Sequence, residues 1–255
     1  MTDPFKLGNK RFTSRFILGS GKFSLPLVRA VTEQGGAEMV TLALRRANAG
    51  GEENILDYIP PGVTIIPNTS GARDAGEAVR IARLARALGC GDFVKIEIMR
   101  DTKYLLPENH ETVLACEMLA AEGFQALPYV YPDLATARAL VKAGAAAVMP
   151  LGAPIGSNKG LLTREFIRIL VDEIDLPVIV DAGIGRPSQA CEAMELGCAA
   201  VMANTAVATA GDAAGMAAAF RLAIEAGRRA YLAGPGRVLD HGAEASSPLT
   251  DFLAD

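Results

Sequence analysis

The chain has no tryptophan and only two histidines, His110 and His241. So few imidazoles all but exclude a histidine-based triad or a multi-histidine metal site. Acid–base chemistry must then rest on Asp, Glu, Lys or Tyr. The four cysteines, Cys90, Cys116, Cys191 and Cys198, form no Cys-x-x-Cys pair and have no zinc-ligand spacing with histidine. They read as buried or idle thiols of a reducing compartment. No apolar run approaches the roughly 18 residues of a membrane span. The first ten residues, MTDPFKLGNK, lack the apolar region of a signal peptide. A cytoplasmic protein without membrane association is expected. Basic runs interleaved with aromatics are also missing, and the net charge is −4. Nucleic acid is therefore not an expected partner, and any anion must be held by a local site.

With aromatics at 5% and hydrophobic residues at 50% of 255 residues, the core must be built from Ala, Val, Ile, Leu and Met. That composition suits a parallel sheet wrapped by helices. One grammar repeats along the chain. A helical stretch ends at glycine, a short β-branched run follows, and the run closes in small or polar residues. Gly36 before Met39–Leu44, Gly123 before Gln125–Val130, Gly144 before Ala147–Pro150 and Gly197 before Ala200–Ala203 are examples. Strands are expected near Phe16–Leu18, Met39–Leu44, Thr64–Pro67, Phe93–Glu97, Ala126–Val130, Ala147–Pro150, Val178–Asp181 and Ala200–Ala203. Asp74, Asp133 and Thr163 are expected helix caps. The helix after Asp74 is expected to bury Ile81, Leu84, Ala85 and Leu88, and the one after Thr163 to bury Phe166, Ile167 and Leu170. A long helix near Asp212–Gly227 closes the series. Eight βα units without a linker predict an α/β protein, a single-domain (β/α)8 TIM barrel over residues 1–255 with an irregular tail from Gly234.

Such barrels place their chemistry at the C-terminal ends of the strands. The fourth strand reads Phe93-Val94-Lys95-Ile96-Glu97-Ile98. Side chains two apart share a side, so Lys95 and Glu97 point into the barrel while Val94, Ile96 and Ile98 face the helices. Burial is expected to lower the lysine pKa, and a neutral amine attacks a ketone to form an imine. The competing reading is a salt bridge at the barrel mouth. Asp181 closes the seventh strand as a second acid/base candidate. The turn Ala182–Gly185 after it offers backbone N–H groups to a phosphate, unless it is a plain tight turn. Asn204 and Thr205 follow the eighth strand, either as an ordinary helix cap or as the other half of that phosphate site. The loop Pro150–Gly160 carries glycines that admit close backbone approach, among them Gly156. Lys22 in Gly19-Ser20-Gly21-Lys22, which lacks P-loop spacing, is a fallback imine lysine. Arg45 and Arg46 either touch an anion or solvate the surface.

Several stretches match one family. Gly19–Phe23 (GSGKF), Val40–Arg46 (VTLALRR), Ile66–Ala72 (IPNTSGA), Val94–Ile98 (VKIEI), Val148–Gly160 (VMPLGAPIGSNKG), Val180–Gly185 (VDAGIG) and Asn204–Ala206 (NTA) resemble bacterial thiazole synthase over nearly the whole chain. The resemblance implies that Lys95 forms an imine with 1-deoxy-D-xylulose 5-phosphate and that Glu97 and Asp181 drive the tautomerisations. It implies that Gly156, Ala182, Gly183, Asn204 and Thr205 hold the substrate and its phosphate. Sulfur would come from a sulfur-carrier protein with a C-terminal thiocarboxylate. The C–N unit would be dehydroglycine (2-iminoacetate), supplied by a dehydroglycine-producing enzyme. The product would be a thiazole phosphate carboxylate, made by a homo-oligomer (a tetramer) without metal or redox cofactor. Val201-Met202-Ala203 departs slightly from the more β-branched strand expected there. A class I aldolase shares the lysine and the phosphate site, and a phosphate-sensing scaffold shares the barrel. The inward Lys95–Glu97 pair speaks against the scaffold.

Overall fold

The computed structural model describes residues 3–21, 23–44 and 55–241. It opens with an antiparallel hairpin of β1 (Phe5–Leu7) and β2 (Lys10–Phe12), which the sequence grammar did not reveal. Eight parallel strands follow: β3 (Phe16–Gly19), β4 (Met39–Ala43), β5 (Thr64–Asn68), β6 (Phe93–Ile96), β7 (Gln125–Val130), β8 (Met149–Pro150), β9 (Ile179–Val180) and β10 (Ala200–Ala203). Each strand from β3 to β8 pairs with the next in sequence, and β10 lies between β9 and β3. The remaining seam, between β8 and β9, is joined by parallel bridges Val148–Val178 and Leu151–Asp181. There the Ile179 N–H donates to Val148 O at 2.9 Å and the Asp181 N–H to Pro150 O at 3.0 Å. The sheet is thus the TIM barrel that the eight βα units predict.

The helices are α1 (Leu25–Gly35), α2 (Ala75–Ala87), α3 (Asn109–Ala121), α4 (Leu134–Lys142), α5 (Arg164–Glu173), α6 (Pro187–Glu195), the short α7 (Thr205–Ala208) and α8 (Ala213–Ala233). Asp74 and Asp133 cap as expected, accepting N–H groups from Glu77 and Thr136 at 2.8 and 2.7 Å. Thr163 does not cap. Its hydroxyl donates instead to Leu151 O at 2.6 Å, tying the start of α5 to the end of β8. On α2 the buried stripe is Ala75, Ala78, Val79, Ala82 and Ala85, while Leu84 and Leu88 are exposed. Both stripes have helical spacing; the alanine stripe lets the helix backbone lie close to the strands. Phe166 on α5 is likewise exposed, because Ile167 and Leu170 already define the inward face.

Alternation along each strand divides the apolar side chains into two bodies. Outward residues such as Phe16, Leu18, Val40, Val94, Ile96 and Val201 meet the helices. Phe16 stacks on Phe220 of α8 with ring centroids 5.8 Å apart, a pair adding about 0.5–1.5 kcal/mol beyond its area burial. Inward residues Ile17, Met39, Ile66, Phe93, Leu127, Met149, Ile179 and Met202 fill the barrel, joined from below by Phe5, Leu7 and Phe12 of the hairpin. The hairpin plugs the N-terminal end, so the interior opens only toward the C-terminal ends of the strands. Gly234–His241 carry no regular element, and no described helix is long and apolar enough to cross a membrane.

Candidate active site

A cavity of about 550 Å3 occupies the open mouth. Lys95, Glu97 and Asp181 lie at its floor. Lys95 Nζ is 2.6 Å from Glu97 Oε1 and 2.6 Å from Asp181 Oδ2, and its side chain is 2% exposed. Period-two alternation on β6 brings Lys95 and Glu97 to one side, and the seam between β8 and β9 sets Asp181 across from them. Lys22, Arg45 and Arg46 lie outside the described residues.

The lysine differs from expectation in its charge. Burial works to lower its pKa, but the charges of Asp181 and Glu97 and their hydrogen bonds outweigh burial, and the pKa is raised. The resting group is an ammonium, not the neutral amine that burial alone predicts. Asp181 moves up as well: burial dominates over the lowering effect of Lys95, with Glu97 adding repulsion. Asp181 is therefore a stronger proton acceptor than an ordinary carboxylate.

Two further residues shape this group, and the strand pattern gave no sign of either. Thr69, fully buried just after β5, clamps the Glu97 backbone through its hydroxyl. Tyr129 of β7 lies beneath the ammonium, with Lys95 Nζ 5.4 Å from its ring centroid. Its hydroxyl is buried without a hydrogen-bond partner among the described residues. The IPNTSGA and LPY stretches were the available signals, but only the fold shows what they touch.

Gly156, Ala182, Gly183, Asn204 and Thr205, the expected substrate-binding residues, all line this cavity, with a narrower set of open donors. Ala182 holds a left-handed φ of 61° and Gly183 one of 81°. The Gly185 N–H donates to Gln189 Oε1 at 2.9 Å. Within the turn, Gly183 and Ile184 are left with N–H groups that have no partner among the described residues and line the cavity. Gly183 also lies tight against the neighbouring loop: a Cβ there would sit 2.4 Å from the Ala153 nitrogen. Gly156 and Asn158 bring that loop to the same rim. Asn204 stands at the cap position of α7 but makes no side-chain cap bond, and its carbonyl oxygen is buried without a partner among the described residues. It fits over Gly19, where a Cβ would meet the Asn204 Cβ at 2.5 Å. That packing accounts for the first glycine in GSGKF. Thr205 completes this end.

The four thiols are unpaired, and three are buried. Burial pushes Cys116 and Cys198 up to about 12. Among the described residues no cluster of His, Cys, Asp or Glu has the makings of a metal site.

Comparison with known proteins adds the following. The family model described as "Thiazole biosynthesis protein ThiG" matches residues 6–248. A thiazole synthase of Clostridium beijerinckii is 71% identical over 99% of both chains. One of Fusobacterium nucleatum is 66% identical over 99% of this chain and 98% of its own. A chain of the Amycolatopsis orientalis BexX/CysO complex superposes with a TM-score of 0.83 at 36% identity, covering 94% of this chain and 100% of its own. The KDPGal structure, with a TM-score of 0.58 at 17% identity over 84% of this chain and 96% of its own, is alike in fold alone.

Proposed function

The chain belongs to the thiazole synthase family of thiamine biosynthesis, and on that premise we propose that Lys95 binds 1-deoxy-D-xylulose 5-phosphate as a Schiff base. The observation that carries this reading is the buried Lys95 ammonium held 2.6 Å from each of two carboxylates at the cavity floor. Ion pairs that serve only stability are rarely buried, because desolvation offsets their attraction. Here the pairing keeps a proton acceptor beside a latent nucleophile.

The phosphate lies against the Gly183 and Ile184 N–H groups, Asn204 and Thr205, with Gly156 at the rim, so that the ketone reaches Lys95. Asp181 takes the ammonium proton. The freed amine adds to the carbonyl carbon, and the resulting carbinolamine loses water as a carboxyl group returns the proton. The protonated imine acidifies the adjacent carbon. Glu97 and Asp181, on opposite sides of Lys95, then move protons along the carbon chain and bring a carbonyl next to the imine for sulfur attack.

Sulfur arrives on the C-terminal thiocarboxylate of a small carrier protein. The Amycolatopsis relative, solved in a complex with a second protein, CysO, supports a protein partner for this chain. Dehydroglycine from a separate enzyme supplies the C–N unit, and the product is a thiazole phosphate carboxylate. Neither a metal nor a redox cofactor is called on. A single-domain homo-tetramer in the cytoplasm belongs to the same reading.

The test is to incubate the protein with 1-deoxy-D-xylulose 5-phosphate and borohydride, then to measure peptide masses. A covalent increment on the peptide containing Lys95, missing in Lys95→Ala, is expected. An increment on Lys22, or none, would overturn the reading at its first step.

A further inference from the structure

The cavity has a second charged end. Counting round the barrel from β3, β5 is the third strand and β9 the seventh. Four strands apart in a closed ring of eight, the turns after them face each other across the mouth. The turn after β9 carries the open N–H groups of Gly183 and Ile184. The end of β5 and the turn after it bring Asn68, Ser70, Gly71 and Arg73 to the cavity wall.

Arg73 is exposed and lines the cavity. Its backbone is tied down: the N–H donates to Glu77 Oε2 at 2.9 Å, and the carbonyl accepts from Arg100 Nε at 3.4 Å. Its guanidinium makes no ion pair among the described residues. Nearby Asp101 is already engaged, accepting N–H groups from Lys103 and Tyr104 at 3.1 and 2.7 Å. Lys95 is the other cation among the described lining residues, and two carboxylates outnumber it. The floor thus carries a net negative charge that repels a small anion, so an anion approaching from the β5 side needs a cation of its own.

We propose that Arg73 binds the carboxylate of the small C–N donor, an α-imino acid, while the sugar phosphate occupies the opposite turn. This rests on the function proposed above. The product of that reaction is anionic at two separated points, phosphate and carboxylate, and the cavity offers donors at two opposed points with Lys95 between them. The carrier's thiocarboxylate loses its charge when its sulfur bonds to carbon. The donor's carboxylate keeps its charge from substrate to product, which suits a stationary counter-ion with a bidentate fork.

The experiment is steady-state turnover with the ketose phosphate, the carrier thiocarboxylate, and glyoxylate plus ammonia as source of the imino acid. Arg73→Gln is expected to raise KM for glyoxylate roughly tenfold, the scale of one lost charge-assisted bond at an exposed site. KM for the ketose phosphate should stay within about twofold, and Arg73→Lys should restore part of the loss. An unchanged glyoxylate KM in Arg73→Gln overturns the proposal. So does a rise confined to the ketose phosphate, which would assign Arg73 to the phosphate, or to the carrier, which would assign it to the protein tail. Borohydride trapping run in parallel separates the two levels. Trapping on Lys95 with an unchanged glyoxylate KM removes only the role of Arg73, whereas no trapping in the wild-type protein removes both.

Discussion

Thr69 and Glu97 hold each other through one hydroxyl. The Thr69 Oγ1 donates to the Glu97 carbonyl at 2.9 Å and accepts the Glu97 N–H at 2.8 Å. This double link fixes the backbone just beyond the end of β6, where Glu97 must sit to face Lys95. Thr69→Val keeps the shape but strands two buried backbone groups, at a cost of about 1–3 kcal/mol. The expected outcome is a lower melting temperature together with slower borohydride trapping at Lys95. Thr69→Ser, which keeps the hydroxyl, should recover most of both. A valine variant that traps at the wild-type rate would show that the clamp serves stability alone.

Removing the ammonium should change how stability depends on pH. In Lys95→Met the buried Asp181 loses the positive charge that holds its pKa down, so a folded-state value already raised by burial rises further. A raised folded pKa contributes stability that is fully present below the unfolded pKa and is lost as pH rises through the folded value. Lys95→Met is therefore expected to melt at a higher temperature at pH 5 than at pH 8, with the wild-type protein much flatter over that interval. Thermal melts across that interval check the sign. A variant as flat as the wild type would place the Asp181 carboxylate in contact with solvent.

Gly183→Ala should fail for a steric reason. The φ of 81° and the Ala153 nitrogen 2.4 Å from the new Cβ leave no room for a side chain. The strain amounts to about 1–3 kcal/mol before any clash is counted. The loop that displaces to relieve it is the one bearing Gly156. Ketose-phosphate binding by calorimetry is expected to weaken at least tenfold in a protein whose melting temperature falls. Unchanged binding would mean that phosphate is held elsewhere.

The Tyr129 hydroxyl and the Tyr129 ring should separate cleanly. Tyr129→Phe deletes a buried oxygen without a partner among the described residues, so the fold is expected to be equally stable or more stable. The ring beneath Lys95 survives, and trapping should persist. Tyr129→Leu removes the ring face from under the ammonium, an interaction worth about 2 kcal/mol when desolvated, and should slow trapping. If Phe behaved like Leu, the hydroxyl rather than the ring would be the group that matters.

How much was legible in the sequence follows from the range of each interaction. Lys95 and Glu97 were readable because two-residue alternation is a local property of a strand. Asp181 was readable as a strand end, but its distance to Lys95 was not, since β6 and β9 meet only through closure of the ring. That missing neighbour is part of why burial alone gave the wrong protonation state for Lys95: the two carboxylates together outweigh burial. On α2, two stripes of helical period competed. Residue size favoured Leu84 and Leu88, whereas close approach to the strands selected alanines. The β1–β2 hairpin has strands of three residues each, too short for any pattern to register. Arg73 carried no pattern either, because facing the mouth is a property of the turn after β5.

The hairpin has a further effect. With Phe5, Leu7 and Phe12 stopping one end, the barrel is a cul-de-sac whose deepest point is Lys95. Everything that reaches the lysine, and everything that leaves it, shares one doorway. Whatever bonds to Lys95 must enter before the mouth is occupied, and it departs only after later arrivals have withdrawn. The queue is thus imposed by the apolar filling of the barrel and by the three side chains that stop it at the far end of the molecule from the reacting atoms.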